Sequence, residues 1–161
     1  WISNKKVNIN EELQNQLISI LQRISSVLIY TIPLKAVLPF GSILFYKFTY
    51  LKIILYLTLP IAIIENSLPF GNLLLFLIIF AGVVRNQNLP YFVRFNGSQA
   101  LLLNIALILF SYLLNIVPLA DLDLFLFILT LAIFLFCLIQ CISGIEPELP
   151  IISKAARMQI I

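Results

Sequence analysis

The chain has 161 residues, of which 61% are hydrophobic and only 11% are charged, and its mean hydropathy is +1.07. Soluble domains carry roughly 25% charged residues, and a soluble fold of this size could not bury so much apolar surface. The net charge of +3 comes from scattered Lys and Arg residues, so we expect no nucleic-acid partner. The composition predicts one domain that lies in a membrane.

Residues 1–47 are predicted to form an amphipathic and proline-broken interfacial region. Apolar residues recur at helical spacing from Asn10 to about Tyr30, and Asn10 followed by two Glu is typical of a helix start. This pattern predicts an amphipathic helix that lies on the membrane surface. A helix that packs on a soluble partner would show the same pattern, so that interpretation stays open.

The end of this region, residues 31–47, is apolar but contains Pro33, Pro39, Gly41 and Lys35. A Lys at the centre of a spanning helix costs about 2.5 to 3.5 kcal/mol. We therefore expect a bent or re-entrant element, which requires that its irregular backbone is covered by protein.

Residues 48–145 are predicted to form a four-helix transmembrane domain, and residues 146–161 a tail. A helix needs about 20 apolar residues to cross a bilayer. The predicted spans cover residues 48–64, 68–84, 98–117 and 124–143. The expected fold class is thus an all-α integral membrane protein, with four transmembrane helices preceded by the N-terminal amphipathic interfacial helix.

The charges predict an orientation. With these four spans, all 10 Lys and Arg residues lie on the side that holds both termini, whereas Glu65, Asp121 and Asp123 lie on the other. Loops on the side of synthesis keep an excess of Lys and Arg. A fifth span at residues 24–46 would move Lys5 and Lys6 across and spoil this segregation, so four spans are favoured.

A basic loop, residues 85–97, joins the second and third predicted spans. It mixes Arg85, Asn86, Arg94 and Asn96 with aromatic residues, a pattern expected at the level of the lipid headgroups. We therefore predict an interfacial loop that contacts membrane lipids.

A polar stripe follows on the third predicted span. Asn104, Ser111 and Asn115 return to nearly the same helix face, since they are seven and eleven residues apart. Polar side chains in lipid turn toward protein. They could line a path for a polar passenger, or they could form hydrogen bonds between helices, which are worth about 0.6 kcal/mol each.

The fourth predicted span carries a narrow face of small residues: Thr130, Cys137, Cys141 and, just beyond it, Gly144. Such a face predicts close helix packing; a redox or metal role for the cysteines is the alternative. The membrane segments contain no paired carboxylates, nucleophile motif, phosphate-binding loop or metal-ligand spacing, and the chain has no His. We therefore expect neither an enzyme nor a bound metal or cofactor.

Three motifs are more specific than the composition. LPFG at Leu68–Gly71, VVRN at Val83–Asn86 and YFVRFNGSQALLLNI at Tyr91–Ile105 occur in this order, after the proline-broken stretch Ile29–Gly41. This pattern resembles the twenty-kilodalton subunit family of the chloroplast inner-envelope protein-import translocon, in its plastid-encoded or cyanobacterial-type form. The resemblance covers about residues 23–117.

The resemblance implies a four-span protein of the plastid inner envelope membrane, with both termini in the stroma, that helps to form the passage for precursor proteins. It implies precursor proteins and other translocon membrane subunits as partners. Four helices normally pack around a filled core, so partner subunits or several copies of the chain must complete any conduit. Where the family often has acidic residues, this chain has Lys35 and Asn104, so a mechanism that needs those carboxylates does not carry over.

Two other functions stay open on the residues alone. The chain could be a structural or assembly subunit of another plastid membrane complex, which buries its small-residue faces and conducts nothing. It could also be a small-solute carrier, but a carrier predicts charged or clearly paired polar residues near the bilayer midplane, and the predicted spans offer only amides and hydroxyls there.

Overall fold

The computed structural model describes residues 2–116 and 122–160, and of residues 2–13 and 18 it describes the backbone only. All regular structure in these ranges is helical, as predicted from the apolar composition. The α-helices are α1 (Ile2–Ile29), α2 (Thr31–Ala36), α3 (Ser42–Lys47), α4 (Ile53–Ser67), α5 (Gly71–Ile79), α6 (Tyr91–Ile116), α7 (Leu122–Ile142) and α8 (Ile152–Gln159). Two 3-10 turns, Leu38–Gly41 and Thr49–Lys52, flank α3, and a π-helical turn, Phe80–Val84, extends α5.

Four helical stretches are long and apolar enough to cross a membrane: Gln14–Ala36, Thr49–Ser67, Tyr91–Ile116 and Leu122–Ile142. An all-α membrane protein with four candidate spans is therefore confirmed. The set differs from the predicted one, because α5 with its π-helical turn is only the shorter apolar helix Gly71–Val84. At 1.5 Å per residue these 14 residues cover about 21 Å, less than the roughly 30 Å of a hydrocarbon core.

The first candidate span falls in the region that the sequence assigned to the membrane surface. Tyr30, Thr31, Leu34 and Val37 are all 0 to 1% exposed, and α2 packs against α4, α6 and α7. Other helices therefore cover these residues, as the predicted re-entrant element requires of its backbone, and the interfacial position of residues 31–47 stays a prediction. The surface position of the earlier part of α1 stays a prediction.

Helix α6 is the central element. It contacts α1, α2, α5, α8 and the π-helical turn, and its 26 residues extend about 39 Å. It begins at Tyr91, seven residues before the predicted span, because the carbonyl of Pro90 accepts hydrogen bonds from the amides of Val93 and Arg94. Pro is well suited to a helix start, where its missing N–H is not needed. The other predicted end, Val117, lies outside the described residues, as does Asp121.

The neighbours of α6 run in both directions. Segment α1–α2 runs parallel to it, since Tyr30 contacts Asn96 near the start of α6 and Lys35 shares a cavity with Leu107 farther along. Helix α7 runs antiparallel, because Cys141, near its end, also reaches Asn96. The chain thus brings the junction of α1 and α2, the end of α7 and the start of α6 to one end of the bundle.

Both Pro-Phe-Gly sequences in the chain occur where the backbone makes a close approach. A Cβ atom at Gly41 would lie 2.6 Å from the ring of Phe127, so only Gly fits beneath that ring. At the second sequence Phe70 has a φ of 55°, and the next residue, Gly71, packs directly on the carbonyl oxygen of Glu65. The absence of a side chain at Gly71 therefore fixes where α4 ends and α5 begins.

Large apolar side chains cover the outer surface of the bundle. Ile53 and Tyr56 on α4 are each 71% exposed, and Leu109 and Ile116 on α6 are 64% and 77% exposed. Apolar exposure of this extent is not typical of a soluble monomer. It is expected of helices that face lipid tails, which need no protein cover.

Candidate functional site

A charged pair lies inside the apolar part of the bundle. The Lys35 Nζ atom on α2 is 2.6 Å from Glu65 Oε2 near the end of α4, and the two side chains are 27% and 17% exposed. Leu107, which lines a cavity with Lys35, is 16 residues after Tyr91 in α6, or about 24 Å along its axis. Each charge would be costly here alone, so the partner is what makes the position tolerable.

This contact overturns part of the predicted orientation. The charge count placed Lys35 and Glu65 on opposite sides of the membrane, and residues 2.6 Å apart cannot lie there. The count was wrong for this pair because it treats every charged residue as part of a solvated loop. The positions of the remaining basic residues stay a prediction.

Two adjoining cavities beside α6 form a groove, which we call the polar groove. One has a volume of about 620 Å³ and the other of about 460 Å³, both within the range of ligand-binding pockets. Asn72, Ile108 and Tyr112 line both. The other polar lining residues are Lys35, Ser42, Asn104 and Ser111. The groove therefore joins the ion pair to a row of amides and hydroxyls.

Only two of the three residues of the predicted polar stripe line the polar groove. Asn104, 3% exposed, lines the smaller cavity, and Ser111 lines the larger one. Asn115 is exposed and lines neither cavity. Helical periodicity placed the three residues on one face, but α2, α4 and α5 cover only the part of that face which contains the first two.

The predicted interfacial loop is divided between a turn and a helix. Arg85 is exposed after the π-helical turn, and Asn86 Oδ1 accepts a hydrogen bond from the Asn88 amide at 3.0 Å. Arg94 lies in α6 and donates to the carbonyls of Val84 and Ile160. Those two bonds tie Arg94 to protein backbone on both sides.

Asn96 was wrongly assigned to that loop. It is 0% exposed, accepts a hydrogen bond from Tyr30 Oη at 3.0 Å and donates to the Phe92 carbonyl at 2.8 Å. The early start of α6 explains the error, since it moves Asn96 from a connecting segment into the second turn of a packed helix.

The sequence reasoning missed a buried network that we call the polar junction. Gln99, fully buried, donates through Nε2 to Tyr30 Oη at 2.9 Å and to the Pro147 carbonyl at 3.0 Å, and accepts from Ser153 Oγ at 2.7 Å. Ser153 Oγ in turn accepts from the Leu149 amide. The network fastens the C-terminal segment to α6 and to Tyr30 at the junction of α1 and α2. Its signal was the polar run Asn96-Gly97-Ser98-Gln99, which lies within α6 just before the apolar stretch Ala100–Leu103.

Thr130, Cys137 and Cys141 are buried on α7, as the predicted packing face requires. Both cysteines are free, and Cys141 Sγ donates to Asn96 Oδ1 at 3.5 Å. Among residues 2–116 and 122–160 no group of three or more His, Cys, Asp or Glu residues is placed to hold a metal ion.

Comparisons with known proteins agree with the motifs. Residues 18–156 match the model of a family described as "Chloroplast import apparatus Tic20-like". A Tic20 family protein of Synechocystis sp. is 36% identical over 147 residues, which is 86% of this chain and 92% of that protein. Protein TIC 20-v, chloroplastic, of Arabidopsis thaliana is 35% identical over 89 residues, 48% of this chain and 42% of that protein. The matched range includes both the polar groove and the polar junction, and the chain belongs to the Tic20-like family.

Proposed function

We propose that this chain is a multi-pass membrane subunit of the chloroplast inner-envelope protein-import translocon, with both termini in the stroma. Membership of the Tic20-like family supports a role in protein import, and the relative from Arabidopsis thaliana is named chloroplastic. In this proposal the polar groove is the surface that contacts precursor segments during transit, and other translocon membrane subunits are its neighbours.

The observation that carries the proposal is the polar lining of the groove within an apolar bundle. A polypeptide in transit brings N–H and C=O groups that lose water in the membrane and need hydrogen-bond partners. Asn72 on α5 and Asn104 and Ser111 on α6 offer both donors and acceptors in the lining of the groove. Lys35 of the ion pair adds a charged group to the lining of the larger cavity.

One copy supplies only one side of such a path. Tyr112 at the rim of the groove is 66% exposed, whereas the interior is filled by side chains such as Phe127, which is 0% exposed. The groove thus opens at the side of the bundle. Another translocon subunit or a second copy must close it.

Site-specific photocrosslinking to an arrested precursor tests this. A photoreactive residue at Ser111, in the groove, should crosslink the precursor severalfold more than one at Leu109, which is on the same helix but 64% exposed. Equal yields at the two positions, or a higher yield at Leu109, would overturn the proposal. If Ser111 instead crosslinks a resident subunit equally with and without precursor, the chain is a structural or assembly subunit.

A further inference from the structure

Arg23 lies between an apolar and a polar cavity at the end of the bundle where α6 begins. The apolar cavity, about 300 Å³, is lined by Arg23 with Ile20, Ile24, Val27, Leu28 and Ile142. The polar cavity, about 200 Å³, is lined by Arg23 with Ser19, Gln22, Phe92 and Gly144. Among the residues whose side chains the structure describes, no acidic one lines either cavity. A cationic group therefore separates a space for hydrocarbon from a space for a polar group.

Arg23 lies near the headgroup level of a bilayer that α6 crosses. Phe92, in the first turn of α6, shares the polar cavity with it, so Arg23 is level with the end of a 39 Å helix that exceeds the roughly 30 Å of hydrocarbon. Val27 and Leu28 follow about one turn farther along α1, which runs parallel to α6. The apolar cavity thus reaches about one helical turn beyond Arg23 toward the middle of α6.

The guanidinium of Arg23 keeps donors for a ligand. Its Nη1 donates to the Ile142 carbonyl at 3.0 Å, while an Arg side chain has five N–H groups in all. Gly144 lets the guanidinium pack closely against its backbone, since a Cβ atom there would lie 2.8 Å from Nη2. Planar, forked donors suit the oxygens of a phosphate.

From this arrangement we propose that Arg23 binds the phosphate of an anionic phospholipid, whose acyl chain occupies the apolar cavity. The proposal is independent of the import role. It also distinguishes Arg23 from Arg157, which donates to Glu148 Oε1 at 2.8 Å and is 3.4 Å from Glu146 Oε2. Arg157 is exposed at the bundle surface, but its charge is already balanced by carboxylates.

Native mass spectrometry of the full chain in detergent, titrated with phosphatidylglycerol and with phosphatidylcholine of the same acyl chains, tests the site. We expect Arg23→Gln to weaken phosphatidylglycerol binding at least fivefold and Arg157→Gln less than twofold, with phosphatidylcholine unaffected by either. Equal effects of the two substitutions would overturn the proposal. So would competition by glycerol phosphate as strong as that by the lipid, which would indicate a site for free phosphate.

A second variant covers the case in which Arg23→Gln fails to fold because it also loses the bond to Ile142. Val27→Phe fills the apolar cavity and leaves the guanidinium in place. We expect it to weaken phosphatidylglycerol binding severalfold. Unchanged binding by a folded Val27→Phe protein would show that no acyl chain occupies the cavity, and would refute the lipid site.

Discussion

The two halves of α6 carry polar side chains for different purposes. In the first half, Asn96, Ser98 and Gln99 are fully buried and are hydrogen-bonded to Tyr30, to α7 or to the C-terminal segment. In the second half, Asn104 and Ser111 line open cavities. The same types of polar residue thus form hydrogen bonds between packed elements in the first half and line open cavities in the second.

The difference follows from which elements cover each half. Helix α8 and the end of α7 reach the first half and supply partners for its polar groups, so their desolvation is compensated. The second half faces α2 and α5, and the cavities of the polar groove lie between these helices and α6. A polar group is retained there only if something else, such as water or a ligand, satisfies it.

The largest effect on stability is expected from breaking the ion pair at the groove. Glu65→Gln should lower the free energy of unfolding by about 2 to 3 kcal/mol, because Lys35 keeps its charge without a partner; a fully buried pair costs about 3 to 5 kcal/mol when broken. Both side chains are partly accessible, which reduces the value. Denaturant unfolding in detergent measures it.

The matched control removes both charges. Lys35→Met combined with Glu65→Met should recover most of the lost stability, since apolar pairs of similar volume commonly replace ion pairs. A double variant as unstable as Glu65→Gln would mean that the charges act independently, and that the groove does not depend on their pairing.

A somewhat smaller effect is expected in the polar junction. Gln99→Leu removes three hydrogen bonds and should lower the free energy of unfolding by about 1 to 3 kcal/mol, since Ser153 and Tyr30 lose a buried partner. Because these bonds hold the C-terminal segment, limited proteolysis between residues 143 and 160 should accelerate. Gln140→Leu is the control: Gln140 Oε1 has no hydrogen-bond partner among the described residues, so stability should not fall. If Gln99→Leu and Gln140→Leu lower the free energy of unfolding equally, the hydrogen bonds of the polar junction do not stabilise the fold.

The features of the two halves of α6 that the sequence predicted are those that depend on residues close together in the chain. Apolar run length identified α4, α6 and α7 as spans, because crossing a bilayer is a local requirement on about 20 consecutive residues. The stripe of Asn104 and Ser111 followed from periodicity along one helix. The motifs around Tyr91–Ile105 indicated the family, because they are contiguous stretches whose residue order is visible in the chain itself.

What the sequence did not reveal depends on contacts between distant residues. Lys35 and Glu65 are 30 residues apart, and Gln99 and Ser153 are 54 apart, so neither pairing has a local signature. Counting charges misplaced the first pair, and treating Asn96 as part of a loop concealed the second network. Likewise, Asn115 was grouped with the stripe because periodicity does not show where covering helices end.

A small effect on stability but a clear one on transit is expected within the groove. Asn104→Leu should change the free energy of unfolding by no more than about 0.6 kcal/mol, the typical value of one polar pair between membrane helices. It should nevertheless reduce precursor crosslinking from Ser111 severalfold, since it replaces an amide on the groove wall with hydrocarbon. Unchanged crosslinking with folded protein would exclude Asn104 from the contact surface.

The smallest effect is expected at Asn115. Its substitution distinguishes a subunit that contacts the precursor from an assembly subunit. Asn115 is exposed and lies on the same helix as the groove residues but outside both cavities. If the groove alone meets the precursor, Asn115→Leu should leave both the stability and the crosslinking from Ser111 unchanged within error. If the chain is instead an assembly subunit, an exposed amide in lipid would be retained to bond a neighbouring helix. Asn115→Leu would then release that neighbour on mild detergent extraction, measured by co-purification, while Asn104→Leu would not.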